Sequence, residues 1–167
     1  TSTKEITADL LATRFSVFRN RGNLNNHIGL PLSLTELAHG PEMAVVELGI
    51  NHGGEIRELI QIAKPDVRVW INVGDAHIGY FGSREQVAKA KAEILEFAGR
   101  DTLVVANADD ELVAAHTRGF TGRLVTFGTQ AGANVRAVDV QDRGFDGTSA
   151  TVETPRGLLH LTLILPG

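Results

Sequence analysis

The 167 residues are 43% hydrophobic and 22% charged, the balance of a soluble globular domain with a sizeable core rather than of a disordered or fibrous chain. A formal net charge of −4 gives no electrostatic reason to expect nucleic acid as a partner, and the lack of cysteine excludes disulfides, thiolate nucleophiles and cysteine metal sites. No apolar run approaches the roughly 20 residues of a membrane span and no signal peptide is visible, so a cytoplasmic location is the default expectation.

In chain order, residues 2–13 read as a helix with Ile6, Leu10 and Leu11 on one apolar stripe, and Phe15–Phe18 as a short strand. Asn23–Pro31 follows as a polar loop with three asparagines and a glycine-to-proline exit, residues that tolerate turn geometry. Leu32–Leu37 suggests a short helix. Met43–Glu47 is an apolar, β-branched run that reads as a buried parallel strand, stopping on a carboxylate and leading into Gly49, Asn51, His52 and a Gly-Gly pair. Glu55–Ala63 reads as a helix ending before Pro65, and Val67–Val73 as a second buried strand. Ser83–Phe97 is the longest helical pattern, with Ser83 as N-cap and Gln86 completing a capping box. Thr102–Ala106, Asp109–His116 and Arg123–Phe127 continue as strand, helix, strand.

The alternation through residue 127 calls for a mostly parallel sheet flanked by helices, an α/β fold. After Gly128, the runs Val135–Val140, Thr148–Glu153 and Leu158–Leu165 are joined by Gly-, Asp- and Pro-rich turns. They read as a small antiparallel β-meander over 133–165, appended to the parallel α/β part of 1–127. Thr1 opens directly into a helix and Gly167 follows a strand-like run without a tail, so a segment of a longer protein is expected.

In open α/β sheets, ligands bind beyond the carboxyl ends of the strands. Glu47, His77 and the pair Asn107 and Asp109 each follow a strand, which puts three polar clusters at one edge of the expected sheet. Each also has an ordinary reading: Glu47 as a strand end facing water, His77 as a surface residue.

Several stretches together carry a family likeness. They are Thr1-Ser-Thr-Lys-Glu, Asn23-Leu-Asn-Asn-His-Ile-Gly-Leu-Pro, Glu47-Leu-Gly-Ile-Asn-His-Gly-Gly-Glu-Ile, Ala76-His-Ile-Gly-Tyr-Phe-Gly-Ser, Ala88-Lys-Ala-Lys-Ala-Glu-Ile and Asn107-Ala-Asp-Asp. In that order they resemble the central ATPase domain of the Mur ligases over essentially the whole chain. Within the family the pattern is most similar to the ligases that join D-alanyl-D-alanine to UDP-N-acetylmuramoyl-tripeptide.

The resemblance implies roles residue by residue. Thr1 matches the threonine that closes the family's Gly-Lys-Thr P-loop and binds magnesium. The glycines and lysine of that loop are absent here, so the segment alone is expected to bind ATP weakly and to be inactive. Glu47 matches a carboxylate that holds Mg²⁺ near the γ-phosphate, and His77 a ligand of a second Mg²⁺. Lys91 matches a helical lysine carried as a carbamate, which offers oxygens to a cation that an ammonium would repel. Lys89 competes for that match, and the spacing from His77 favours Lys91. Asn51, His52, Asn107 and Asp109 fall on the nucleotide side, Asn25 and Asn26 on the muramoyl-peptide side. The implied reaction is ATP-dependent amide bond formation through an acyl phosphate in peptidoglycan precursor synthesis, with flanking N- and C-terminal ligase domains as partners. Alternatives are a sister amide ligase (another Mur ligase, a folylpolyglutamate synthase, a cyanophycin synthetase) and a non-catalytic pseudo-ligase.

Overall fold

A computed structural model describes residues 1–76 and 78–164. The chain divides into two compact units, one of residues 1–65 and 76–96, the other of residues 66–75 and 97–167. The parallel-then-antiparallel grammar holds. Strand pairing, however, is shared between two sheets, one of two strands and one of six.

The first unit contains helix α1 (Ser2–Ala12), strand β1 (Val17–Arg19), helix α2 (Gly29–Leu34), strand β2 (Met43–Val45) and helix α3 (Glu55–Ala63). It also contains the one-turn helix α4 (Ile78–Phe81) and helix α5 (Arg84–Lys91). Strands β1 and β2 pair in parallel, Val17 with Met43 through Arg19 with Val45. Parallel pairing puts their carboxyl ends side by side, so the residues just beyond Arg19 and just beyond Val45 become neighbours.

Helix α3 buries Ile56, Leu59 and Ile60 at helical spacing. Ile56 and Ile60 pack with Ile50 and Ala90 against Leu48, Phe81 and Ile94. The helix stops where Lys64 turns left-handed (φ 45°) ahead of Pro65. In α5, Ser83 caps the helix by accepting from the Gln86 N–H at 3.3 Å. The expected long helix is α-helical only to Lys91, and a 3-10 turn continues over Ala92–Leu95. That tightening accompanies the use of Glu93 elsewhere: its carboxylate takes the N–H groups of Gly54 (2.7 Å) and Arg57 (3.1 Å) at the start of α3.

Helix α1 departs from the expected pattern. Ile6 and Leu10 are 41% and 66% exposed, and the buried face is Lys4 and Ala8. A buried ammonium is tolerable only when satisfied, and the Lys4 Nζ donates to the carbonyls of Asn20 (2.7 Å) and Gly22 (3.5 Å) and pairs with Glu5 (3.0 Å).

The second unit is built on the six-stranded sheet, ordered β3 (Val67–Trp70), β4 (Leu103–Asn107), β5 (Arg123–Gly128), β6 (Val135–Asp142), β7 (Thr148–Thr154) and β8 (Gly157–Leu163). β3, β4 and β5 run parallel, and helix α6 (Glu111–Thr117) follows β4. β6 belongs to both regimes: it begins parallel to β5, Phe127 opposite Val135, and then pairs antiparallel with β7, with an irregularity between Val138 and Gln141. β7 and β8 close the meander as a hairpin. Between residues 130 and 164, a single 3-10 turn at Gly144–Asp146 is the one helical element. Trp70, Val73, Val104, Ala106 and Val113 are buried, and the Trp70 ring lies 5.8 Å from that of His116 on α6.

The expected strand over residues 67–73 ends its ladder at Trp70, and Val73 donates its N–H at 2.8 Å to a side chain, that of Asp110. The other oxygen of Asp110 caps α6, accepting from Leu112 and Val113 at 3.0 Å each. One carboxylate thus joins the end of β3 to the start of α6. Asp110→Ala should destabilise the chain by about 1–2 kcal/mol, the worth of a lost cap plus an unpaired N–H. Urea denaturation checks this as a lowered midpoint at unchanged slope.

Candidate active site

Glu47 stands just beyond β2, and its carboxylate takes one side-chain donor on each oxygen. Oε1 accepts from Asn25 Nδ2 at 2.8 Å, and Oε2 from Thr1 Oγ1 at 2.8 Å. Burial pushes the Glu47 carboxyl up, but the hydrogen bonds from the Thr1 hydroxyl and Asn25 oppose it, and the group lies below the usual glutamate range. It is an ionised carboxylate with a fixed direction.

The asparagine loop is shaped to reach it. The Gly49 N–H donates to the Asn25 carbonyl at 2.7 Å, and a Cβ on Gly49 would sit 2.6 Å from Asn25 Oδ1. Only a glycine leaves Asn25 where it is. Asn26 turns the other way: its Oδ1 accepts from Ile28 (3.1 Å) and Gly29 (2.7 Å), organising the entry to α2. Of the two asparagines singled out in sequence, Asn25 touches Glu47, and Asn26 shapes the backbone.

Asn51 and His52 lie on the turn before α3, where Glu55 gathers them. One Glu55 oxygen accepts the Asn51 N–H and, at 3.0 Å, the His52 N–H; the other lies 3.5 Å from the His52 ring. The His52 ring meets Tyr80 edge-on at 5.9 Å. Burial raises the Glu55 carboxyl, but the amides of Asn51 and His52 and the His52 ring reverse the effect and hold it below its ordinary value. Lys91 closes α5 half-buried, whereas Lys89 is exposed. His77 lies outside the described residues.

Asn107 and Asp109 belong to the second unit. Asn107 Oδ1 accepts from the Asp109 N–H at 2.8 Å. Asp109 fastens the β5–β6 turn, accepting from the Thr129 N–H (2.7 Å), the Thr129 hydroxyl (2.9 Å) and the Gln130 N–H (3.1 Å). Those donors outweigh burial and hold its carboxyl below the usual range.

The donor chemistry at Glu47 suits a hard divalent cation. Thr1 Oγ1 and Glu47 Oε2 are hydroxyl and carboxylate oxygens 2.8 Å apart. Among the described residues, no group of three or more His, Cys, Asp and Glu side chains is gathered as a metal cage. One or two protein oxygens, with phosphate and water completing the shell, is the arrangement Mg²⁺ favours.

Sequence reading passed over Asn20, Lys4, Glu55 and Glu93. Asn20 had a usable signal, being a polar residue just past the end of β1, as Glu47 is past β2. The roles of Lys4 and Glu93 depend on partners distant in sequence and left no local trace.

The chain matches the Mur ligase middle domain over residues 1–167 and belongs to that family. Among its relatives, the UDP-N-acetylmuramoyl-tripeptide–D-alanyl-D-alanine ligase of Rickettsia prowazekii is 44% identical over 110 residues, covering 66% of this chain and 24% of the relative. A crystal structure of MurF from Acinetobacter baumannii superposes with a TM-score of 0.92 at 31% identity, covering all of this chain and 36% of that one. MurF ligase from Thermotoga maritima in complex with ADP gives a TM-score of 0.83 at 33% identity, covering 96% and 37%. The chain thus spans between a quarter and two fifths of the length of these relatives.

Glu55 yields a pH prediction. Its folded pKa lies below the unfolded value near 4.5, so its stabilisation is complete above that value and is lost as pH falls through the folded pKa. Glu55→Gln should cost about 1 kcal/mol at pH 7. Urea midpoints of the wild type and this variant should converge as pH falls below 4.5 and through the lower folded pKa.

Proposed function

We propose that this chain is the nucleotide-handling middle domain of an ATP-dependent, ADP-forming ligase that joins D-alanyl-D-alanine to UDP-N-acetylmuramoyl-tripeptide in peptidoglycan precursor synthesis. The observation that carries the reading is the oxygen pair of Thr1 and Glu47, oriented by Asn25, in a chain of the Mur ligase family. The named activity of the relatives supports the choice of substrates, and the ADP complex of the Thermotoga maritima enzyme supports the nucleotide.

In this reading the terminal carboxylate of the tripeptide attacks the γ-phosphorus of ATP, and the bond to the β,γ-bridging oxygen breaks to release ADP. The amine of D-alanyl-D-alanine then attacks the acyl carbon of the resulting acyl phosphate. The amide forms, inorganic phosphate leaves and the amine loses a proton. Magnesium, when bound, neutralises the charge that keeps carboxylate and triphosphate apart. Thr1 and Glu47 would hold it, with His77 and a carbamylated Lys91 serving a second ion. Asn51, His52, Asn107 and Asp109 would serve the nucleotide side and Asn26 the muramoyl-peptide side, while Asn25 keeps Glu47 aimed. Flanking ligase domains would present the UDP-sugar and the amine, in the cytoplasm.

The test is ADP release by the full-length protein. Release should require both UDP-N-acetylmuramoyl-tripeptide and D-alanyl-D-alanine; release driven by a single amino acid in place of the dipeptide would instead indicate a sister ligase. Lys91→Ala should lower turnover by at least about 100-fold, the scale of losing a charge-stabilising group, with bicarbonate raising wild-type activity alone. Lys89→Ala should leave turnover near wild type, and the reverse pattern would reject the assignment of Lys91.

A further inference from the structure

The carboxylate of Glu47 is gripped at its tip by Thr1 and Asn25, but the backbone that carries it is fixed from behind by one buried side chain. Asn20, the first residue beyond β1, is 1% exposed. Its Oδ1 accepts the Glu47 N–H at 3.1 Å, and its Nδ2 donates to the Leu24 carbonyl at 2.9 Å. The amide can face only one way. Reversed, it would set donor against the Glu47 N–H and acceptor against the Leu24 carbonyl, leaving buried groups unpaired.

Those two bonds reach both determinants of the carboxylate's direction. One fixes the main chain of Glu47 itself. The other fixes Leu24, whose chain neighbour Asn25 holds Glu47 Oε1. The main chain of Asn20 is anchored in turn, because its carbonyl accepts from Lys4 Nζ at 2.7 Å. Lys4 is 6% exposed and lies on α1, the helix whose N-cap is Thr1, the partner of Glu47 Oε2. The polar chain from Thr1 through α1, Lys4 and Asn20 to Glu47 therefore closes on itself.

We propose that Asn20, anchored by Lys4, is a positioning residue that sets the direction of the Glu47 carboxylate and so the affinity of this site for a hard divalent cation. The proposal rests on the reading of Glu47 as a cation ligand. Groups behind a metal ligand typically alter metal affinity by 10–100-fold when removed.

The test uses the full-length ligase with ADP present and Mn²⁺ as probe, its binding followed by electron paramagnetic resonance, with thermal melting alongside. Asn20→Ala should weaken Mn²⁺ binding about tenfold. Asp110→Ala, a destabilising change in the other unit, should leave binding unchanged, so lost stability alone does not account for the effect. Lys4→Met should weaken binding a few-fold in the same direction, and it decides the matter if Asn20→Ala does not fold. Wild-type Mn²⁺ affinity in the folded Asn20 and Lys4 variants, with Glu47→Gln weakened, would overturn the positioning role and leave the role of Glu47 standing. Unchanged affinity in Glu47→Gln would overturn the underlying reading, and this proposal with it.

Discussion

A half-buried carboxylate just past the end of a parallel strand faces opposing demands: burial favours its neutral form, and a cation site needs it charged and pointing one way. Glu47 meets both through geometry set by the parallel pairing of β1 and β2. That pairing brings Asn20 beside the Glu47 main chain, and one side-chain donor then settles on each carboxylate oxygen. An ionised carboxylate offers about four acceptor positions, so two side-chain bonds orient the group and leave capacity for a cation.

Asp109 shows the contrasting use of the same chemistry. Its oxygens accept three donors, all from Thr129 and Gln130, and they close the turn between β5 and β6. A Cβ on Gly128 would lie 2.5 Å from Asp109 Oδ1, so that turn is fitted around the carboxylate. Its neighbour Asp110 ties β3 to α6. Glu55 and Glu93 likewise spend their oxygens on backbone N–H groups, at the turn before α3 and at its first residues. Each unit thus uses carboxylates as local fasteners, and Glu47 differs from these in that each of its two oxygens takes a hydrogen bond from a side chain, Thr1 on one and Asn25 on the other.

What could be read in the sequence follows the range of the forces involved. Helix α3 was legible to the residue, since Ile56, Leu59 and Ile60 mark one face and Pro65 marks the stop. The change from helix-linked to turn-linked strands after Gly128 was legible from turn chemistry. The division of strands between two sheets was not, because pairing partners are chosen across long separations that periodicity does not encode. On α1 the apolar stripe pointed to the wrong face: Lys4 is buried because the carbonyls of Asn20 and Gly22 receive it, and both lie beyond the helix. Of the consecutive Asp109 and Asp110, either could cap α6 by composition, and only the main-chain course makes Asp110 the cap. At the candidate site, Thr1, Asn25 and Glu47 were named from motif likeness and meet in space. Asn20 bonds a residue 27 positions away and belongs to no motif.

In the proposed function, Glu47 is a carboxylate held ready for a hard cation at the nucleotide's phosphates. The most direct measurement is the anomalous-scattering map of full-length ligase crystals grown with Mn²⁺ and a non-hydrolysable ATP analogue. A metal peak is expected at a ligand distance of about 2.1 Å from a Glu47 oxygen, with Thr1 Oγ1 beside it and Asn25 still on the other oxygen. A metal held by phosphates and other side chains, with Glu47 bonded only to Thr1 and Asn25, would contradict it.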